Sequence, residues 1–199
     1  MAQRDKESVK AGESPCFSCD GGCCRTYSVE VTAFDIRRLM LSLDRSPEEF
    51  CATIPSWNGR CQVVPSIIGN RPVNVVLRRE EDGRGACLFF RGGAKACTVY
   101  EHRPRSCAVY PFRAIDGRDP VERDGIPCPV SWHGRVDRTV RNAELAVLAH
   151  EIRSHNRLVT TLNSESLGRH ELASYLSRLL AALESHLRSP TLTPVGDHD

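Results

Sequence analysis

Length, composition and charge favour an ordinary globular protein. The chain has 199 residues, of which 40% are hydrophobic and 26% are charged, and its formal net charge is +2. A chain of this length buries a core without help from disulfides, and its balanced charge excludes a broad basic surface for nucleic acid. No apolar run approaches the ~18 residues that cross a bilayer, and no apolar signal segment follows Met1. We therefore expect a cytoplasmic protein without a nucleic-acid or membrane partner.

The chain begins without predicted structure. Residues 1–14 are polar and charged, and this composition predicts disorder. Residues 27–31 alternate between polar and apolar side chains and predict an extended segment. Thr32 and Asp35 then stand three residues apart as a variant of the capping box, which opens a helix.

A second helix signal lies at 46–49, where Ser, Pro, Glu and Glu occupy the cap and the first helical positions. It predicts a short helix that buries Cys51 as a small hydrophobic residue and ends at Pro55. Residues 57–72 are rich in Gly, Pro and Asn and predict a loop. Cys61 lies in that loop, and the sequence does not indicate a function for it.

The middle of the chain predicts a hairpin and one further short helix. Two apolar segments, 73–77 and 86–90, are joined by a polar loop and predict a β-hairpin whose second strand carries Cys87. Pro104 begins a short helix that reaches Cys107, because proline is tolerated in the first turn of a helix.

The C-terminal part changes character. Residues 113–135 contain several glycines and prolines and predict irregular structure. From about residue 137, apolar residues at i, i+3, i+4 and i+7 predict two amphipathic helices. Two such helices are expected to pair as an antiparallel hairpin and to pack on the cysteine-rich part. The predicted fold class is therefore α+β, mainly α.

These predictions divide the chain into four parts. Residues 1–14 form a disordered N-terminus, and residues 15–135 form a small cysteine-rich metal-binding domain with a short β-hairpin. Residues 136–188 form the helical hairpin, and residues 189–199 form a flexible tail.

The ten cysteines carry the strongest functional signal. Eight of them form two blocks: Cys16, Cys19, Cys23 and Cys24, followed by Cys87, Cys97, Cys107 and Cys128. Without a secretory signal, clustered cysteines predict metal ligands or free thiols rather than disulfides. A two-residue spacing lets two sulfurs face one ion at ~2.3 Å, as in zinc knuckles.

The adjacent pair Cys23 and Cys24 limits how these ligands combine. Neighbouring side chains point apart in both helical and extended backbone, so one small ion does not take all four thiols of the first block. Either the two serve different metals or only one of them is a ligand. The second block then completes sites begun by the first. Eight thiols fit two four-coordinate ions, one four-iron cluster with spare cysteines, or a small thiolate-bridged metal cluster.

Several other residues receive a structural interpretation. His102 and His133 lie near cysteines, and we expect them to be exposed or to contact ligands rather than to bind metal. Arg103 and Arg105 are expected to donate hydrogen bonds to thiolates or to carbonyls at helix ends, rather than to bind phosphate. Glu151 and the histidine one helical turn after it lack a third ligand, which predicts a solvated helix face.

The cysteine motifs as a set resemble a known family. They are Cys16-x2-Cys19-x3-Cys23-Cys24, then Cys87-Leu-Phe-Phe, then Cys97-x2-Tyr100-Glu101-x-Arg103-Pro104-x2-Cys107-x2-Tyr110-Pro111-Phe112. From about residue 16 to residue 128 this order is similar to the YkgJ-type cysteine-cluster family, a zinc- or iron-chelating domain. The resemblance implies that the eight clustered cysteines face metal, with Tyr100, Arg103 and Pro104 as structural companions.

One position departs from that family pattern. An arginine usually follows the cysteine at 107, whereas this chain has Ala108. Arg105 or Arg113 is expected to supply the missing charge.

The resulting functional hypothesis is a metal-binding protein. It holds zinc or iron, with a 4Fe–4S cluster among the options, and has a metal-handling or accessory role with no identified protein partner. One alternative is a redox or electron-transfer protein in which the cluster itself turns over. Another is an S-adenosylmethionine-dependent methylase-like enzyme, because related cysteine domains occur in flagellin lysine methylases. The chain has no glycine-rich methyl-donor loop, and whether it catalyses a reaction stays open.

Overall fold

The fold is known here from a computed structural model, which describes residues 20–56, 63–81, 85–91, 97–115, 118–122, 137–165 and 171–189. The helices are α1 (Gly22–Thr26), α2 (Ala33–Leu43), α3 (Arg105–Val109), α4 (Arg138–Glu165) and α5 (Leu172–Arg188). The strands are β1 (Cys51–Pro55), β2 (Ser66–Ile68), β3 (Arg71–Leu77), β4 (Phe112–Ile115) and β5 (Arg118–Glu122). The predicted class, α+β and mainly α, is confirmed. The parts predicted to be disordered, 1–14 and most of 189–199, lie outside the described residues.

Helix α2 begins at the predicted capping box. The Thr32 hydroxyl accepts from the Asp35 amide at 3.2 Å, and Asp35 Oδ2 accepts from the Thr32 amide at 2.9 Å. The two bonds satisfy amides that the first turn of a helix leaves without partners. The extended segment before it is also confirmed, because the Val31 amide donates to the Val75 carbonyl.

The helix predicted after Ser46 is wrong beyond its first turn. The capping contact of Ser46 with Glu49 is present, but Pro47–Glu49 forms only a 3-10 turn. The chain then continues as β1, whose residues pair with β3 in antiparallel register from Cys51 opposite Leu77 to Pro55 opposite Val73. Pairing with a strand that is distant in sequence decides this segment, so its local helix signal does not prevail.

The predicted β-hairpin is correct in its first strand, which lies within β3, and wrong in its second. Strand β3 lies at the centre of a three-stranded antiparallel sheet of order β1-β3-β2, and residues 86–90 form a turn. Residues 57–72 are not all loop, because they include β2 and the start of β3. The missed signal is Gly69-Asn70, whose φ angles of +57° and +61° fit a two-residue turn between antiparallel strands.

The prediction of irregular structure from residue 113 is wrong for its first part. Strands β4 and β5 pair in antiparallel register, with Phe112 opposite Glu122 and Ile115 opposite Arg118. The dipeptide Asp116-Gly117, a common two-residue hairpin sequence, is the signal that could have found this pair. Residues 123–136 lie outside the described residues.

The C-terminal pair of helices is confirmed and closes the core. Leu176, Leu179 and Leu183 of α5 are fully buried in one cluster with Ile36 and Leu39 of α2. Near its start, α4 covers a second cluster with Leu145 and Leu148, and further along it enters the main core. None of the helices in the described ranges is long and apolar enough to cross a membrane. The proposed domain boundaries stay a prediction.

The solvated face predicted around Glu151 is wrong. Glu151 and His155 are only 6% and 3% exposed, because this side of α4 packs against the start of α2. The Glu151 carboxylate binds the Arg38 guanidinium. His155 Nδ1 accepts from the Ala33 amide at 3.1 Å, which fixes the imidazole as the neutral form with its proton on Nε2.

Burial lowers the pKa of His155 from the ordinary 6.5 to about 4, although the nearby Asp35 charge raises it. The unfolded chain therefore binds more protons than the folded chain between these pH values. His155 therefore leaves the free energy of unfolding unchanged above about pH 6.5. As the pH falls toward 4, protonation of this residue in the unfolded chain lowers that free energy by on the order of 3 kcal/mol.

We predict that His155→Asn flattens the fall in the free energy of unfolding between pH 6.5 and 4. The Asn amide oxygen can still accept from Ala33 but does not titrate in this range. Urea unfolding at a series of pH values measures the slope. The same change at His150, which is exposed on the same helix, is the control, and an equal flattening in both variants would contradict the prediction.

Candidate metal centre

Gly21 shapes the start of the cysteine-bearing helix α1. Its φ is +79°, a left-handed conformation that glycine adopts without strain. A Cβ at this position would lie 2.1 Å from the Phe90 ring, far inside van der Waals contact. The turn that introduces Cys23 and Cys24 therefore requires glycine for both its backbone angle and its close approach to the ring.

Two arginines hold the rest of α1. The Arg79 guanidinium donates to the Arg25 carbonyl and, at 2.6 Å, to the Tyr27 carbonyl, both at the C-terminal end of α1. This end of a helix leaves carbonyls without partners and favours a positive charge. The Arg25 guanidinium lies 4.9 Å from the centre of the Phe90 ring. The short helix is thus attached to the chain that follows β3.

The turn around Cys87 joins the first cysteine block to the second. The Cys87 amide donates to the Cys24 carbonyl at 2.9 Å, and Cys87 also faces Arg79 in an isolated antiparallel bridge. Three residues later, Phe90 forms a similar bridge with Cys97. Backbone pairing therefore brings Cys24, Cys87 and Cys97 together, although they are far apart in sequence.

The predicted short helix at Pro104 is confirmed as α3, and it carries Cys107. Pro104 is its cap, and the Ala108 amide donates to the Pro104 carbonyl at 3.0 Å. Asp35 Oδ1 accepts from the Arg105 amide at 2.9 Å and so binds the first residue of α3. A carboxylate in this position offsets the partial positive charge of a helix start.

The buried Cys107 thiol lies within electrostatic reach of three other thiols. Burial raises the pKa of Cys107 well above its usual range, and the charges of Cys87, Cys23 and Cys97 raise it further. Burial is also the main reason that the pKa values of Cys87 and Cys97 are raised. Thiols this close and this buried stay protonated unless a cation compensates their charge.

The adjacent thiols of Cys23 and Cys24 affect each other directly. A hydrogen bond between the two thiols lowers the pKa of Cys23 and raises that of Cys24. The charges of Cys107 and Cys87 raise the pKa of Cys24 further. Cys24 therefore lies within electrostatic reach of both blocks.

Five of the eight predicted ligands are thus gathered in one region, namely Cys23, Cys24, Cys87, Cys97 and Cys107. The other three, Cys16, Cys19 and Cys128, lie outside the described residues, as do Cys61 and His133. Within the described ranges, no three Cys, His, Asp or Glu side chains converge closely enough to hold one metal ion. The five thiols therefore share one region, but they do not form a metal site by themselves in the described part of the chain.

Cys51 and His102 lie where the sequence predicted. Cys51 is fully buried in the main core, and this burial raises its pKa to about 12. It behaves as a small hydrophobic residue, although it belongs to β1 rather than to a helix. His102 is exposed.

Buried donors around α3 fit an anionic group at the cysteines. The Arg103 guanidinium lies 3.7 Å from the Tyr100 ring centre, donates to the Tyr100 carbonyl and lowers the pKa of Cys97, which burial otherwise raises. Arg103 Nε and Ser106 Oγ are buried and have no hydrogen-bond partner among the described residues. Such donors cost ~1–3 kcal/mol each unless an acceptor is present. Metal-bound thiolates are acceptors of this kind, so the donors and the soft sulfur ligands both fit a zinc or iron centre.

The expectation that Arg105 or Arg113 supplies the charge missing at Ala108 stays a prediction. Arg105 Nε lies 3.7 Å from Glu151 Oε1, and the side chain of Arg113 lies outside what the structure describes. A third arginine, Arg141 of α4, donates to the Ala108 carbonyl at 2.8 Å. The sequence around Ala108 and around Arg141 gives no sign of this contact.

Comparison with known proteins identifies the cysteine-bearing region. The model of a family described as "Putative zinc- or iron-chelating domain", with the cysteine pattern CxxCxxCC in its name, matches residues 15–129. No curated protein and no solved structure matches the chain.

We predict that Gly21→Ala destabilises the protein and weakens its metal binding, because the added methyl overlaps the Phe90 ring. Gly69→Ala is the matched control, since Gly69 also has a positive φ but has no atom within 4 Å of the added methyl. The control should lose only the ~1–2 kcal/mol of a left-handed alanine. Gly21→Ala should lose about 1–3 kcal/mol more through overpacking.

Urea unfolding and metal content after gel filtration measure the two effects. Equal losses of stability in both variants, with equal metal content, would contradict a special role for Gly21.

Proposed function

Because the chain belongs to this family of zinc- or iron-chelating domains, we propose that Cys16, Cys19, Cys23, Cys24, Cys87, Cys97, Cys107 and Cys128 hold its zinc or iron. The observation that carries this assignment is that five buried or half-buried thiols from four separate segments lie in one region, where the Cys87 amide donates to the Cys24 carbonyl and Cys97 pairs with Phe90. The pKa values of four of these thiols, Cys24, Cys87, Cys97 and Cys107, are raised, and a bound cation would stabilise them as thiolates.

The number of thiols supports more than one ion or a cluster. Five gathered thiols already exceed the four ligands of a tetrahedral structural zinc. The remaining three of the proposed set complete two four-coordinate ions or surround one cluster with spare cysteines. Cys23 and Cys24 then serve different metals, or one of them only contacts a ligand.

A redox-active iron–sulfur cluster is the second candidate. The buried donors Arg103 Nε and Ser106 Oγ favour it, because hydrogen bonds to the sulfurs are one means by which proteins set the potential of such clusters. We do not extend the proposal to methyl transfer, because the chain has no glycine-rich methyl-donor loop. A metal-handling or accessory role therefore remains the primary proposal.

The proposed location is the reducing cytoplasm. The six cysteines in the described ranges are all free thiols. In a reducing compartment disulfides are rare, so cysteines stay reduced and can bind metal.

We predict that anaerobically purified protein contains stoichiometric zinc or iron, measured by elemental analysis together with an optical spectrum. Colourless protein with zinc identifies structural ions, whereas brown protein that absorbs near ~400 nm and bleaches on reduction identifies an iron–sulfur cluster. Metal-free protein with ten titratable thiols and a melting curve unaffected by added metal would overturn the proposal.

Two matched substitutions test the ligand set. Cys107→Ser should lower the metal content, because it replaces a proposed thiolate ligand with a harder and weaker one. Cys51→Ser makes the same chemical change in the core and should cost ~1–3 kcal/mol of stability while leaving the metal content intact. Loss of metal in Cys51→Ser, or full metal in Cys107→Ser, would show that the proposed ligand set is wrong.

A further inference from the structure

Helix α4 holds both ends of the short helix α3. At the start of α3, Glu151 Oε1 lies 3.7 Å from Arg105 Nε. At its end, Arg141 Nη1 donates to the Ala108 carbonyl at 2.8 Å. Between these contacts, Val109 packs with Leu145 and Leu148 in a separate apolar cluster. The helix that carries Cys107 is thus attached along its length to a helix outside the matched family region.

We propose that Glu151 and Arg141 are positioning residues of the metal centre. They act through α3, whose placement sets the distance from the Cys107 sulfur to the other thiols. This inference rests on the proposed function, in which Cys107 is a metal ligand. Neither residue has to touch metal for the inference to hold.

Glu151 acts through a buried chain of charges. Its carboxylate accepts from Arg38 Nη1 at 2.6 Å and from Arg38 Nη2 at 3.1 Å, a two-point contact that fixes the guanidinium in plane. Arg38 also pairs with Asp35, and Asp35 accepts from the Arg105 amide. Loss of the Glu151 charge leaves Arg38 with Asp35 alone and removes the contact with Arg105 Nε. Arg38, which pairs with Asp35, is then no longer held by α4, so the Asp35 carboxylate that binds the start of α3 is held less firmly.

Arg141 acts at the other end. It is 8% exposed, and besides the Ala108 carbonyl it contacts Glu144 at 2.8 Å and lies 4.9 Å from the Phe112 ring centre. The carbonyls in the last turn of a helix lack intrahelical partners, and a guanidinium there also complements the helix dipole. Ala108 immediately follows Cys107, so this bond fixes the backbone next to the thiol.

Small displacements of α3 matter because metal sites tolerate little error. Ligand distances in protein metal sites stay within about 0.2 Å of their ideal values. Replacement of residues that orient ligands without binding metal costs about tenfold to a hundredfold in metal affinity. We expect losses of that size when either attachment of α3 is removed.

The test measures the zinc dissociation constant by competition with a chelator, using the full chain and zinc alone. Glu151→Gln and Arg141→Met should each weaken zinc binding by about tenfold to a hundredfold. Glu165→Gln and Arg153→Met are matched controls on the same helix, because both residues are exposed. The controls should bind zinc as tightly as the unaltered chain. Wild-type affinity in both test variants would overturn the inference.

A general loss of stability is separated from positioning by a core variant. Val159→Ala shortens a fully buried side chain of α4 that belongs to the main core and not to the cluster beneath α3. All measurements are made well below the unfolding midpoint of each variant. If Val159→Ala weakens zinc binding as much as Arg141→Met at a similar loss of stability, α4 only stabilises the fold and the inference is wrong.

Substitution with cobalt gives a second readout that folding alone does not change. The cobalt spectra of Glu151→Gln and Arg141→Met should differ from the wild-type spectrum in the sulfur-to-metal and ligand-field bands, and the Val159→Ala spectrum should not. Arg141→Lys retains a donor for the Ala108 carbonyl and should recover part of the lost affinity. Unchanged spectra in both test variants would contradict the inference.

Cys107→Ser distinguishes the failure of this inference from the failure of the proposed function. If Cys107→Ser binds zinc as tightly as the unaltered chain, Cys107 is not a ligand and the proposed ligand set fails with the inference. If Cys107→Ser weakens zinc binding but Glu151→Gln and Arg141→Met do not, only the inference fails.

Discussion

The Asp35 carboxylate is the interaction on which the arrangement of α2, α3 and α4 depends. It is 1% exposed, and a buried carboxylate is stable only when its lone pairs have donors. Oδ2 accepts from the amide and hydroxyl of Thr32, and Oδ1 accepts from Arg38 and from the Arg105 amide. A carboxylate offers about four lone-pair sites, so every site has a donor. One side chain thus starts α2, holds the start of α3 and neutralises the arginine that reaches α4.

This junction makes the cysteine-bearing region and the helical pair depend on each other. The Arg38 guanidinium carries the contact from Asp35 to Glu151, and a few residues further along α4 the His155 imidazole accepts from the first residue of α2. Buried polar networks are stabilising when complete and costly when one partner is removed. Movement of α4 therefore breaks hydrogen bonds at the start of α2 and, through Asp35, at the helix that carries Cys107.

The sequence predicted what short-range chemistry decides. The Thr32–Asp35 capping box, the helical spacing of apolar residues in α5 and the helix start at Pro104 are all local patterns, and each is where it was predicted. Strand β1 was not found, because it forms only by pairing with β3, a segment that is distant in sequence. At the candidate site, cysteine spacing selected eight thiols, of which the fold brings five into one region; the ligand set itself stays a prediction. Arg38 and Glu151 are in contact although 113 residues separate them in sequence. Without knowledge of this partner, a glutamate on a helix is predicted to be exposed to solvent.

The family match ends at residue 129, but the physical unit that surrounds the thiols does not. Cys107 lies on a helix of only five residues, too short to be stable without tertiary contacts. Its contacts come from α2 on one side and from α4 on the other. If Cys107 binds metal as proposed, bound metal would hold α3 more firmly, because binding free energies couple in both directions. Metal occupancy and docking of the C-terminal helices would then be linked in one equilibrium.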